Sequence, residues 1–199
     1  NILAFKDNGD FYKIFWQGEI YELGVWSSSI AFDAGCDVIC FNDPTTRTFA
    51  MFSNGEFIDI EDQYMPSYKS GRGFIVYQDM NDNLWQFQNE EKIQLSNFSP
   101  NEWDVKDDIC IWHENSYVFA RMNHKTQQTS SYIPKDYKIK NNVFAFRNIM
   151  GGVSALIDDK LIELGNQNNA SYRIYGNLVL VKLFNNSFIV YKDGKRFQN

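Results

Sequence analysis

A chain of 199 residues that is 44% hydrophobic and 17% aromatic has enough apolar mass for a sizeable core. Its net charge of −6 and isoelectric point near 4.9 leave no basic stripe for a nucleic-acid partner. No run approaches the roughly 18 apolar residues that a membrane-spanning helix needs, so the sequence holds no such transmembrane segment.

The apolar runs repeat. ILAFKD at Ile2 recurs as VICFND at Val38, FIVYQD at Phe74, ICIWHE at Ile109, VFAFRN at Val143 and LVLVKL at Leu178, in steps of 36, 36, 35, 34 and 35 residues. A second marker keeps the same period: an aromatic ahead of a turn, at Phe32, Tyr68, Trp103, Tyr137 and Tyr172. Two independent markers on one period define a repeat protein.

In chain order, the first unit predicts three strands, ILAF, FYKIFW and EIYEL, and Gly24–Ser28 crosses to the next. The second predicts Ile30–Phe32, VICF, TFAMF and EFIDI, with Pro44 in a longer turn over Asp43–Arg47, since proline cannot donate to a ladder. The third predicts Ser67–Lys69, FIVY, LWQFQ and KIQL. The fourth predicts Trp103–Val105, ICIW, YVFARM and a polar TQQT, read as an exposed edge. The fifth predicts Tyr137–Ile139, VFAF, VSALI and KLIEL, and the sixth Tyr172–Ile174, LVLV, FIVY and KRF. Asn-Gly, Gln-Gly and Asp-Gly pairs link the strands, as tight hairpins require.

Four-stranded antiparallel meanders, joined by one longer crossing loop per unit, predict an all-β chain. The fold expected is a β-propeller of about six blades, one domain over 1–199 with units starting near 1, 30, 67, 102, 136 and 171. A β-solenoid is the competing architecture, but its coils usually need only about 20–29 residues. Asn1 aligns with the residue that precedes each apolar strand, so the first blade lacks its aromatic strand. The expectation is a natural chain that extends upstream, with room there for a signal peptide and for a seventh blade.

Cys36 sits at a turn, while Cys40 and Cys110 lie one position out of phase on equivalent strands, so the three read as free, mostly buried thiols. His113 and His124 lack metal-ligand spacing, and no metal or other cofactor is expected. Asn97, Asn169 and Asn185 begin three-residue glycosylation sequons. The innermost strands offer Asp33, Lys69, Asp104, Lys138 and Arg173, mixed signs that do not make a divalent-cation cage.

Strand counting puts the central turns and the crossing loops on one rim. Asp7, Asp10, Asp43, Asp79 and Asp82 sit there, and Arg147 and Lys182 stand in later units. Trp26, Tyr64, Phe98 and Tyr132 occupy the crossing loops, the last three followed two residues on by Pro66, Pro100 and Pro134. The aromatics read either as a platform for a peptide or sugar or as anchors seating each loop on the next blade. The aspartates read either as a partner-facing charge or as turn residues bonding nearby amides. The partner-binding set expected is Trp26, Asp43, Tyr64, Asp79, Asp82, Phe98 and Tyr132.

YKSGRGFIVYQD, SNGEF and KDGKR together resemble propeller repeats of exported proteins in gliding Gram-negative bacteria. The resemblance spans almost the whole chain. It implies a periplasmic or extracellular, non-enzymatic scaffold for a protein partner. One such role is the periplasmic plug of the type 9 secretion translocon, whose partner is an outer-membrane pore. A carbohydrate-binding propeller is the second reading and an enzyme with a channel site the third. In the fourth unit Lys106-Asp107-Asp108 and His124-Lys125 replace the glycine turns, which puts those turn types in question.

Overall fold

A computed structural model describes every residue except Asn1, Ser27, Ser28 and Asn185. The chain start at Asn1, the end of the first crossing loop and the sequon asparagine Asn185 therefore lie outside the described residues. The described chain is all-β, with six antiparallel sheets of consecutive strands, the blades of a β-propeller. It divides into two compact units, Asn1–Pro100 and Asn101–Asn199, each with three sheets.

In the first unit, sheet 1 has three strands: β1 (Ile2–Lys6), β2 (Phe11–Trp16) and β3 (Glu19–Val25). Sheet 2 holds β4 (Asp33–Ala34), β5 (Val38–Asp43), β6 (Thr48–Ser53) and β7 (Glu56–Glu61). Sheet 3 holds β8 (Ser67–Ser70), β9 (Ile75–Gln78), β10 (Leu84–Gln88) and β11 (Glu91–Ser96). The first strand of sheet 2 is shorter and later than the sequence predicts: Phe32 lies just before it. It pairs with β5 only through Asp33 and Ala34, because Gly35 turns the chain at once.

In the second unit, sheet 4 holds β12 (Glu102–Lys106), β13 (Ile109–Glu114), β14 (Tyr117–Met122) and β15 (Lys125–Ser130). Sheet 5 holds β16 (Tyr137–Lys140), β17 (Val143–Arg147), β18 (Val153–Ile157) and β19 (Lys160–Gly165). Sheet 6 holds β20 (Ser171–Tyr175), β21 (Leu178–Lys182), β22 (Phe188–Lys192) and β23 (Lys195–Gln198).

The second strands of sheets 2 and 5 are apolar on both faces because the neighbouring sheets of their own unit cover them on both sides. Along β5, Ile39 and Phe41 pack with Ile14 of sheet 1, while Val38 and Cys40 pack with Ile75 and Tyr77 of sheet 3. The same alternation runs along β17: Phe144 and Phe146 meet Ile109 and Ile111, and Val143 and Ala145 meet Val179 and Val181. Side chains at successive strand positions point to opposite faces, so a strand between two partners needs no polar position.

The last hairpin of every sheet is a two-residue turn with both central residues at positive φ: Gln17-Gly18, Asn54-Gly55, Asn89-Glu90, Asn123-His124, Asp158-Asp159 and Asp193-Gly194. This is the mirror-type turn whose twist matches paired strands. In the fourth repeat the turn sits one residue earlier than expected, at Asn123-His124, and keeps its geometry without glycine. Asparagine and aspartate tolerate the left-handed region, which explains their place at the first central position in five of the six.

The first five sheets share a bulge that the strand pattern conceals. Leu23, Ile60, Leu95, Thr129 and Leu164 are each the extra residue where the last strand of the sheet leaves its ladder. A bulge bends the strand and sharpens its twist. Here it turns the chain from each last strand into the crossing loop.

The repeat aromatics tie blade to blade. The Tyr172 hydroxyl donates to Asp136 Oδ1 at 2.5 Å, the Tyr137 hydroxyl to Glu102 Oε1 at 3.0 Å, and the Tyr68 hydroxyl to the Ala31 carbonyl at 2.7 Å. Each acceptor is the residue before the preceding repeat's aromatic. Tyr137 is half-buried rather than fully enclosed, because its ring packs on the edge of the sheet 4–5 cluster while its hydroxyl reaches the rim. Cys40 and Cys110 are buried and Cys36 is exposed, and none of the three is in a disulfide.

Candidate functional site

The central turns form from their own side chains. Asp79 Oδ1 accepts the amides of Asn81 at 2.8 Å and Asn83 at 2.9 Å, and its Oδ2 accepts Asn83 Nδ2 at 2.9 Å and Trp85 Nε1 at 2.8 Å. Asp7 Oδ1 accepts the amides of Gly9 at 2.8 Å and Phe11 at 3.0 Å. Asp43 Oδ1 accepts the Thr45 amide at 2.7 Å, and Asn148 Oδ1 accepts the Gly152 amide at 2.8 Å. The residue that closes three of these turns sits at positive φ: Asp10 at 66°, Asp82 at 63° and Gly151 at 81°. Asp7 and Asp79 thus shape turns, while Asp82 leaves its carboxylate exposed beside Gln78 Nε2 at 3.3 Å.

These bonds set the charge state. Partial burial opposes ionisation of Asp79, but the donors on Asn83, Trp85 and Asn81 outweigh it and hold the carboxyl below its usual range.

The crossing-loop aromatics divide into two kinds. Trp26 stacks on Tyr12 with ring centroids 5.4 Å apart, and its indole nitrogen donates to Thr45 Oγ1 at 2.9 Å. It therefore seats the loop on the turn that Asp43 builds. Tyr132 is also seated: its hydroxyl donates to the Arg147 carbonyl at 3.3 Å. Tyr64 and Phe98 face outward, 45% and 62% exposed. Ser96 and Ser130 brace their loops alike, each hydroxyl donating to the carbonyl two residues on, at 2.8 Å to Phe98 and 2.6 Å to Tyr132. Pro100 and Pro134 are buried beneath these loops and Pro66 is exposed.

In the second unit the turns and loops enclose a cavity of about 430 Å3 lined by Tyr132, Ile133, Lys135, Asp136, Arg147, Asn148, Ile149, Met150, Gly151, Asn168 and Asn169. Arg147 is its fixed centre. Its guanidinium bonds Asp136 Oδ2 at 3.1 Å, the Ala170 carbonyl at 2.7 Å and the Gly151 carbonyl at 3.3 Å. Burial works against ionisation of Asp136, yet the Tyr172 hydroxyl and Arg147 hold its carboxyl below the usual range. Burial and that same carboxylate push the Tyr172 phenol up.

Apolar side chains stand open around this cavity: Ile133 is 47%, Ile149 74% and Met150 72% exposed. Of the seven residues expected from sequence, only Tyr132 belongs to it. Ile149, Met150 and Arg147, which line it, lie outside the expected set, although a signal existed. The second position of the central turn is apolar at Met80, Ile149 and Phe184, where the turn itself requires no side chain.

Six blade-like sheets, seated loops and an open apolar rim define a β-propeller repeat protein. The family model for the 10-bladed beta propeller domain matches residues 1–197, and the chain belongs to that family. Among solved structures it is similar to the computationally designed Ika8 protein (12% identity, TM-score 0.46, covering 100% of this chain and 71% of that one). It is also similar to human WBSCR16 (7% identity, TM-score 0.49, 91% and 71%). PorZ, an essential surface component of the type-IX secretion system of Porphyromonas gingivalis, aligns at 11% identity and TM-score 0.45, over 95% of this chain and 32% of PorZ. Comparison with curated protein sequences finds no match.

Proposed function

We propose that residues 1–199 act as one non-enzymatic propeller scaffold that binds a protein partner in the bacterial cell envelope, and that the partner meets the rim of central turns and crossing loops. The observation that carries this reading is the open apolar set of Ile133, Ile149 and Met150 around the Arg147 cavity. Exposed apolar side chains at turn tips contribute nothing to the turns that hold them, and apolar side chains that ring a pocket suit capture of a partner's side chain. The bonds of Arg147 and Asn148 fix the cavity before binding, which lowers the entropic cost of docking. The envelope location, and a finer role as plug or accessory subunit of an outer-membrane secretion pore, rest on the repeat's resemblance to exported propellers. Trp26 weighs against a glycan platform, because one ring face and the indole nitrogen are already occupied.

The test is site-specific photo-crosslinking in the producing bacterium. A photoreactive residue at position 149 or 184 should capture one envelope protein, and the same residue at Asp158, on the opposite end of sheet 5, should not. Capture at 158 alone would place the partner on the wrong rim, and a cytoplasmic partner would refute the location.

A further inference from the structure

We propose that the cavity between the first strands of sheets 5 and 6 binds an oxyanion ligand with two or more negative charges. β16 and β20 flank a cavity of about 410 Å3 lined by Lys138, Ile139, Lys140, Arg173, Ile174 and Tyr175. Three of the six lining residues are cations and none is an acid, in a chain whose net charge is −6.

Strand alternation delivers the charges. Lys138 and Lys140 lie on one face of β16, while Ile139 between them packs into the sheet 4–5 cluster. Arg173 and Tyr175 share a face of β20, and Ile174 between them is buried at 7%. The cavity is thus the exposed side of two neighbouring strands whose other sides are core.

The cations are positioned without being neutralised. Lys138 Nζ donates to the Tyr172 carbonyl at 2.9 Å and lies 4.7 Å from the Tyr172 ring centroid. Arg173 Nη1 donates to the Tyr175 hydroxyl at 3.4 Å. Both partners are neutral, and among the described residues Lys138, Lys140 and Arg173 make no ion pair. Asp136, whose carboxylate feels the Lys138 charge, is already bonded to Arg147 and Tyr172. Like charges held together repel, and a bound oxyanion relieves that repulsion. Tyr175, 47% exposed, sets an aromatic face beside the charges, which suits an oxyanion borne on a ring. The net charge of −6 disfavours anions over the chain as a whole, and the variants below separate this patch from other surface cations.

The experiment is calorimetric titration at low salt with two charged probes, a galacturonic acid trimer and inositol hexakisphosphate, against neutral maltotriose and inositol. At least one charged probe should bind and neither neutral probe should, and the preferred charged probe assigns carboxylate or phosphate. Raising the salt to about 1 M, where the screening length is about 3 Å, should abolish binding. Lys140→Glu and Arg173→Glu should each weaken binding about tenfold or more, the scale of losing one charge-assisted contact. Lys125→Glu and Lys195→Glu, on fourth strands, should leave it unchanged. All four side chains are exposed, so circular dichroism should show every variant folded. Failure of both charged probes at millimolar concentration overturns the proposal. So does wild-type binding by Arg173→Glu, or equal loss on reversing Lys125 and Lys195.

Discussion

Replacing Asp79 with alanine removes the acceptor around which the third repeat's central turn is built. Four donors converge on that carboxylate between 2.8 and 2.9 Å. A hydrogen bond to a charged group is worth about 1.5–3 kcal/mol net, but four on one carboxylate do not add. Water reaches the Asn81 amide once the side chain is gone, whereas Trp85 Nε1 and the Asn83 amide are partly buried and keep most of their cost. The expected loss is about 2–3 kcal/mol for Asp79→Ala and about half that for Asp79→Asn, which keeps one acceptor oxygen. The folded carboxyl lies below its usual value. Its contribution is therefore complete above the unfolded value of about 3.9 and fades as pH falls through the lower folded one. Urea unfolding followed by tryptophan fluorescence, at pH 7 and again at acid pH, measures both. A loss below about 0.5 kcal/mol at pH 7 would mean the turn forms without its carboxylate, refuting the reasoning.

Tyr172→Ala should cost about 3–5 kcal/mol, since the ring is 4% exposed, and Tyr172→Phe about 1–3 kcal/mol through the lost bond to Asp136; thermal unfolding of both checks the difference. Gly35→Ala should destabilise by about 1–3 kcal/mol, because the added Cβ would lie 2.0 Å from the Gly71 carbonyl oxygen of the next sheet. His113 is buried, and burial holds its imidazole below the usual pKa against the pull of Glu102. Stability should therefore fall as pH drops below about 6.5, where the unfolded chain takes up the proton first, and His113→Gln should flatten that dependence in melts at pH 5 and 7.5. Ile149→Ser with Met150→Ser should shift stability by no more than about 0.5 kcal/mol while lowering crosslinking to the partner.

The repeat was legible because two spatially separate demands, a doubly covered second strand and an aromatic ahead of the turn, each leave a mark at the same spacing. Where one demand weakens, the reading slips. Phe32 looks like a strand residue, yet Gly35 ends the pairing after two residues. The bulges were invisible because Leu23, Ile60 and Leu164 carry the apolar side chains any strand residue would. At the rim, charge drew attention to Asp43 and Asp79, whose first task is to bond their own turns. The open positions were the apolar turn tips. Composition marks them as core, and only the turn geometry shows that Ile149 and Met150 stand exposed at turn tips.

Strand neighbours in every sheet are also neighbours along the chain. A ribbon emerging end-first from a ribosome or a membrane pore can therefore close each meander as soon as its own residues are clear, with no wait for distant sequence. Its loop-closure cost is that of short hairpins, the least costly kind. Yet Ile39, Phe41, Ala50 and Phe52 of the second sheet gain their burial from Ile14, Trp16 and Tyr21 of the first. A lone meander thus stays frayed until a neighbour covers its apolar face, and cohesion grows by increments in the direction of travel, each sheet ratcheting the one before it.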